Sequence, residues 1–277
     1  MRKGKVCNWM TSPAVTVTPN MLLSEARQIM DAGRIRALPV VSDNQLLGIV
    51  TRRGLLRSDL SVLNCSALYS PIKLKESVIG EIMTINPITT RPDSLIPEAA
   101  RVLLENKITA LPVMDDNKII GMLTSSDVFR FILAELPLLK KHPTVENYMT
   151  DEVVTIYPST TLLEAHRQMG TKRIRSLPVL DGDRLVGLVT RTDLMGSDPS
   201  RLVSRKNQEV SLKVLQQPVS KVMTTDLITI QPDAPLTEAA RLMLEHKIHC
   251  LPVMDSGCLV GILTESDLFL MVVQLFL

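Results

Sequence analysis

Aromatic side chains are scarce in this sequence: one Trp, three Tyr and four Phe among 277 residues. So few rings leave no series of base-stacking platforms of the kind single-strand binders use. An excess of positive charge is missing too, since 31 Lys and Arg face 29 Asp and Glu. With no basic field to neutralise phosphates, nucleic acid is excluded as the main partner. The four cysteines, Cys7, Cys65, Cys250 and Cys258, contain no Cys-x-x-Cys pair, and no paired His spacing accompanies them. A zinc site therefore has no support, and a reduced, cytoplasmic setting is expected. Long apolar runs are absent as well. The longest, residues 268–277, is interrupted by Gln274 and is too short to span a bilayer. It reads as a buried or interfacial helix. The start, Met-Arg-Lys-Gly-Lys, leads into no apolar stretch, so a signal peptide is not indicated.

What is present is a unit repeated four times in register. Met10, Met83, Met149 and Met223 each open a Met-Thr pair. Leu38, Leu111, Leu177 and Leu251 follow 28 residues later and begin Leu-Pro-Val. Gly48, Gly121, Gly187 and Gly261 come ten residues on, and Thr51, Thr124, Thr190 and Thr264 three beyond those. Successive methionines are 73, 66 and 74 residues apart, so length varies only between units. A repeated unit usually cannot bury its apolar face alone, so pockets are expected where copies meet.

In the third unit, the β-branched run Val153 to Ile156 predicts a strand ended by Pro158. The hydroxyls of Ser159, Thr160 and Thr161 predict the cap of a helix with Leu162, Ala165 and Met169 on one face. A strand from Ser176, a turn at Asp181-Gly182-Asp183 and a second strand to Val189 follow. Thr190 to Asp193 then caps a second helix. The order is strand, helix, strand, strand, helix. A unit of about fifty residues would leave a sheet face open, so units should pair. The long inter-unit segments 58–77 and 198–218, against the short 133–144, pair one with two and three with four. This predicts domains 1–142 and 143–277. The apolar second helices, residues 128–133 and 268–277, are expected to form contacts between modules or between chains.

The order of elements, the Met-Thr opening, the Leu-Pro-Val strand and the Gly-h-h-Thr-x-x-Asp close (Gly121 to Asp127, Gly187 to Asp193, Gly261 to Asp267) resemble the CBS domain. The likeness covers residues 6–56, 79–132, 145–196 and 219–272. It implies an α+β fold of four β-α-β-β-α repeats paired into two Bateman modules. The organisation is similar to the adenine-nucleotide-sensing γ subunit of AMP-activated protein kinase. By that resemblance, Asp193 and Asp267 accept ribose hydroxyls, with Thr190, Thr192, Thr264 and Ser266 beside them. Arg175 and His249 face phosphate, and Thr150, Val154, Thr224 and Ile228 line adenine. A second set comprises Thr84, Ile88, Thr124, Ser126, Asp127, Arg36 and Thr51. Unit one departs at Gly54, where the carboxylate is missing, and unit two at Thr109, where the basic group is missing.

Each position also has a plainer reading. The aspartates suit helix N-caps for about 1 kcal/mol, and charged residues defend edge strands. The basic partners Arg34, Lys107, Arg173 and Lys247 stand two residues before the phosphate position, and on a strand the two would share a face. Glu25, Glu98, Glu164 and Glu238 recur at one helical position and suit the helix dipole. With no His or Cys at constant spacing beside them, a catalytic role lacks its second group. The function expected is that of a non-enzymatic sensor of an adenosine-containing ligand, AMP, ADP or ATP above others, that requires no cofactor and acts on a partner protein. A scaffolding module with empty clefts, or a sensor of S-adenosylmethionine, NAD or a cyclic dinucleotide, is the alternative.

Overall fold

The computed structural model describes residues 4–43, 45–58, 77–194 and 213–277. Most of the two long inter-unit segments, and Cys65 with them, lie outside the described residues. Unit one contributes α1 (Leu23–Ala32), β1 (Ala37–Ser42), β2 (Gln45–Thr51) and α2 (Arg52–Ser58). Unit two contributes β3 (Thr84–Ile85), α3 (Ile96–Asn106), β4 (Ala110–Asp115), β5 (Lys118–Thr124) and α4 (Ser125–Glu135). Unit three contributes α5 (Leu162–Thr171), β6 (Ser176–Asp181), β7 (Arg184–Thr190) and α6 (Arg191–Leu194). Unit four contributes α7 (Leu236–His246), β8 (Cys250–Asp255), β9 (Cys258–Thr264) and α8 (Glu265–Phe276).

Each hairpin has the same register: Leu38 opposes Val50, Leu111 opposes Leu123, Leu177 opposes Val189 and Leu251 opposes Leu263. All four carry an irregularity just after the Leu-Pro-Val valine, which locally sharpens the twist. The third-unit helix is capped as its sequence predicts, with Thr161 Oγ1 accepting from the Glu164 N–H at 3.2 Å. Glu25 and Glu98 accept the backbone N–H of Leu22 and Leu95 at 3.2 and 2.9 Å, which occupies them as capping groups.

Apart from the two-residue β3 of unit two, the opening segment does not form the strand expected. It is extended backbone that crosses from one sheet to another and touches each only briefly. In unit three, Thr150 bridges Ile262 of unit four, whereas Ile156 bridges Val179 of its own β6 in parallel. A segment shared between two sheets cannot build a full ladder with either. Proline fits this arrangement. The Pro39, Pro112, Pro178 and Pro252 carbonyls accept from Val17, Thr90, Ile156 and Ile230, and the return bond starts two residues later, so the missing proline N–H is never needed.

The crossing is reciprocal within pairs. Thr11 bridges Met122 and β3 pairs with β2, while Thr150 bridges Ile262 and Thr224 bridges Leu188. The repeated methionines and glycines meet at these crossings. A Cβ on Gly48, Gly121, Gly187 or Gly261 would lie 2.8, 2.7, 2.5 or 2.5 Å from Sδ of Met83, Met10, Met223 or Met149. Glycine is required there by close approach, not by backbone angle.

Units two and four share one core. Ala99, Ala100 and Leu103 of α3, Phe129 and Ile132 of α4, Ala239 and Met243 of α7 and Phe269 and Val272 of α8 are all buried in it. α3 packs on α8 and α4 on α7, so the first helices join the second helices in the contact between modules. Units one and three keep separate cores around Leu38 and Leu177. No helix among the described residues is long and apolar enough to cross a membrane.

Candidate functional site

The closing Thr-x-x-Asp sequences become the N-termini of the second helices. In three units the same bonds recur. The backbone N–H of Thr124, Thr190 and Thr264 donates to Oδ2 of Asp127, Asp193 and Asp267 at 2.6, 2.8 and 2.6 Å. The threonine hydroxyls donate to the same oxygens at 2.8, 2.7 and 2.8 Å. The caps therefore occupy one carboxylate oxygen each. Asp127 goes further: Arg130 of the same helix pairs with its Oδ1, and the side chain is only 1% exposed. Both of its oxygens are thus engaged, one by the capping Thr124 and the other by Arg130. Asp193 and Asp267 are half-buried. Burial pushes the Asp127 and Asp267 carboxyls up, against the threonine donors that pull them down. In unit one, Thr51 Oγ1 accepts from the Gly54 N–H at 3.1 Å, and no carboxylate stands there. Ser126 and Thr192 are exposed and Ser266 is half-buried.

The basic positions converge, but not by strand alternation. Arg34, Lys107, Arg173 and Lys247 adopt φ of 51, 53, 55 and 56°, the left-handed turn that ends each first helix, and the strands start only afterwards. The two basic residues of a unit thus have no common strand face. Instead Arg36, Arg175 and His249, from three units, gather around one carboxylate, that of Glu265. Arg175 Nη2 lies 3.0 Å from Glu265 Oε1, and His249 Nδ1 lies 2.8 Å from Oε2. Ser125 Oγ, from unit two, donates to Oε2 at 3.0 Å. Arg175 also approaches Ser266 Oγ at 3.4 Å. Arg36 donates to the Lys247 carbonyl and brings Nη1 to 3.4 Å from His249 Nδ1. Because that nitrogen faces Glu265 more closely, it is read as the donor to the carboxylate, and the Arg36 approach is a contact rather than a hydrogen bond. The fourth equivalent place holds Thr109, whose carbonyl accepts from the Ser125 N–H at 3.0 Å.

Glu265 is 2% exposed. Burial alone would raise its carboxyl, but the His249 ring, the Arg175 guanidinium and the Ser125 hydroxyl outweigh it and hold the group below the ordinary range. Neither Glu265 nor Ser125 stands out in the sequence. The position after the closing threonine reads Arg52, Ser125, Arg191 and Glu265 in the four units, and an acid in a first helical turn suggests only a dipole complement. The signal was the single acid in an otherwise basic or neutral position.

The opening segments complete the surroundings. Thr150 and Thr224 are exposed at their crossings, and Val154 and Ile228 are half-buried behind them. Because Thr150 bridges β9 and Thr224 bridges β7, each lies on the strand that leads to the partner unit's Thr-x-x-Asp. In the N-terminal half, Thr84 pairs with Ile49 on β2, and Ile88 is 42% exposed.

Paired repeats of this build, closed by a capped Thr-x-x-Asp helix, define a CBS-domain protein. Residues 6–61, 79–134, 145–199 and 219–273 match the CBS domain, and the chain belongs to that family. It is 28% identical over 271 residues to the uncharacterised protein MJ1225 of Methanocaldococcus jannaschii, covering 91% of this chain and 93% of that one. The crystal structure of MJ1225, proposed as an archaeal homologue of γ-AMPK, superposes with a TM-score of 0.73 at 26% identity over 96% of this chain and 99% of that one. An uncharacterised 33.4 kDa protein of Thermofilum pendens is 28% identical over 270 residues, 92% of this chain and 86% of its own. A conserved protein of Pyrococcus horikoshii shares the fold, with a TM-score of 0.64 at 23% identity over 97% of this chain and 99% of that one.

Proposed function

We propose that this chain is a non-catalytic regulatory protein that binds an adenosine-containing ligand, AMP, ADP or ATP above others, in clefts between paired repeats and passes its occupancy to a partner protein. The division is into modules 1–142 and 143–277, the setting is the cytoplasm, and the nucleotide is a regulatory ligand rather than a cofactor. The observation that carries this reading is the gathering of Arg36, Arg175 and His249 at one centre, with Asp193 and Asp267 half-buried at the helix caps of units three and four. A ribose needs a carboxylate that can accept adjacent hydroxyls, and a phosphate needs clustered donors; the C-terminal pair supplies both. The likeness to MJ1225, itself proposed as a γ-AMPK homologue, supports the same reading.

A scaffold with empty clefts is the second reading, favoured by the internal bonding of all three aspartates. Calorimetry separates the two. Asn keeps a capping oxygen but not the charge, so Asp193→Asn and Asp267→Asn test ligand contact without removing the cap. The expected outcome is AMP affinity weakened roughly ten- to a hundredfold with the fold intact, the range for losing one charge-assisted bond. No heat with any adenine nucleotide would favour the scaffold.

A further inference from the structure

The carboxylate at the centre of the basic cluster is part of the protein. Glu265 lies on the first turn of α8, is 2% exposed, and takes contacts from Arg175, His249 and Ser125 at 3.0, 2.8 and 3.0 Å. A buried anion held by a guanidinium and an imidazole that are themselves partly exposed has an unusual consequence. Arg175 and His249 keep 35% and 40% of their side-chain surface open, so a solute can reach them from outside while Glu265 holds them from within. Building on the proposed nucleotide site, we infer that Glu265 is an internal competitor for the ligand's phosphate, occupying Arg175 and His249 in the empty protein and setting the charge a ligand must bring to displace it.

The chemistry favours exchange. A carboxylate offers one negative charge through two oxygens, whereas a terminal phosphate carries about −1.5 to −2 at neutral pH through three. A phosphate monoester or polyphosphate can therefore take Arg175 and His249 from Glu265, and an uncharged nucleoside cannot. The Ser125 hydroxyl is the part of the network that ties Glu265 to α4, and so to the other half of the molecule. Phosphate entry would loosen that tie, which gives ligand occupancy a route across the contact between α4 and α8.

The test is calorimetry of the full chain with AMP and with adenosine, for the wild type, Glu265→Gln and Ser125→Ala. Gln keeps the shape and an acceptor for Ser125 but removes the competing charge. AMP bound at least fivefold more tightly by Glu265→Gln, with adenosine unchanged, is the expected result; AMP binding seen only in the variant supports it equally. Wild-type AMP binding that is equal or weaker in Glu265→Gln overturns the competitor and leaves the nucleotide reading standing. An equal gain for AMP and adenosine also overturns it, because the cleft has then loosened irrespective of charge. AMP bound by neither protein overturns both. If Glu265→Gln does not fold by circular dichroism, Ser125→Ala decides: a two- to threefold gain for AMP supports the competitor, and an unchanged or weakened affinity overturns it.

Discussion

Glu265 and Asp267 sit two residues apart on one helix, yet their carboxyls are displaced in opposite directions from ordinary values of 4.5 and 3.8. Glu265 is held low by the cations that outweigh its burial, and Asp267 is raised by burial that the Thr264 donors only partly offset. The signs of their linkage to stability therefore differ. Glu265 binds its proton less readily in the folded chain, so its contribution is present above pH 4.5 and is lost as pH falls through its lower folded value. Asp267 does the reverse: its folded form holds the proton more readily, so stability from this group is lost as pH rises from 3.8 through the raised value. Thermal unfolding of wild type, Glu265→Gln and Asp267→Asn between pH 3 and 6 reads both. The deficit of Glu265→Gln should shrink toward low pH, and Asp267→Asn should gain on the wild type as pH rises; parallel curves would contradict the assignments. At this scale Asp267 was legible because capping and ligand binding ask for the same residues at the same spacing. Glu265 was not, since its partners come from units two, three and four, and no spacing within a unit brings them together.

Between elements, the decisive contact is the one of methionine on glycine across each pair. The repeated positions are plain in the sequence, but in-register copies do not say which copy each methionine touches. Nor does a run of β-branched residues distinguish a strand from an extended segment divided between two sheets. The four glycines are not equivalent. A Cβ on Gly121 would meet the Thr11 carbonyl at 2.8 Å, and one on Gly48 the Thr84 carbonyl at 2.8 Å, in addition to the methionine sulfur. On Gly187 the three nearest atoms all belong to the flexible Met223 side chain. Backbone cannot retreat without breaking the crossing, whereas a methionine can change rotamer. Gly121→Ala and Gly48→Ala are therefore expected to cost about 1–3 kcal/mol as overpacking, and Gly187→Ala distinctly less. Urea unfolding midpoints check the order; an equal loss at all three positions would remove the backbone from the explanation.

For the whole molecule, the scarcity of aromatics becomes a statement about architecture. All four phenylalanines, Phe129, Phe131, Phe269 and Phe276, lie on α4 and α8, where the modules meet. Phe129 and Phe269, at equivalent places in their units, face each other with centroids 6.4 Å apart, and Phe131 packs on Phe276 at 5.0 Å and Trp9 at 5.6 Å. Phe269→Ala should cost about 3–5 kcal/mol in denaturant unfolding, because the cavity would open in the core that units two and four share. That shared core also fixes which basic residues can act together. Arg36 belongs to the first unit but reaches the Lys247 carbonyl and the His249 ring of the fourth. Its own unit has Gly54 in place of the carboxylate, and in the second unit Thr109 replaces the base while Arg130 occupies Asp127. The N-terminal half thus lends its cation to a cluster centred on Glu265, in the half that also carries Asp193 and Asp267. Nucleotide is expected to fill the C-terminal pair first, and Arg36→Ala to weaken that binding roughly three- to tenfold, below the full value of a charged bond because the guanidinium is partly solvated. Titration of wild type and Arg36→Ala with AMP and adenosine measures the effect. A loss confined to AMP would show a phosphate contact made across the modules, and an unchanged AMP affinity would leave each half to bind with its own residues alone.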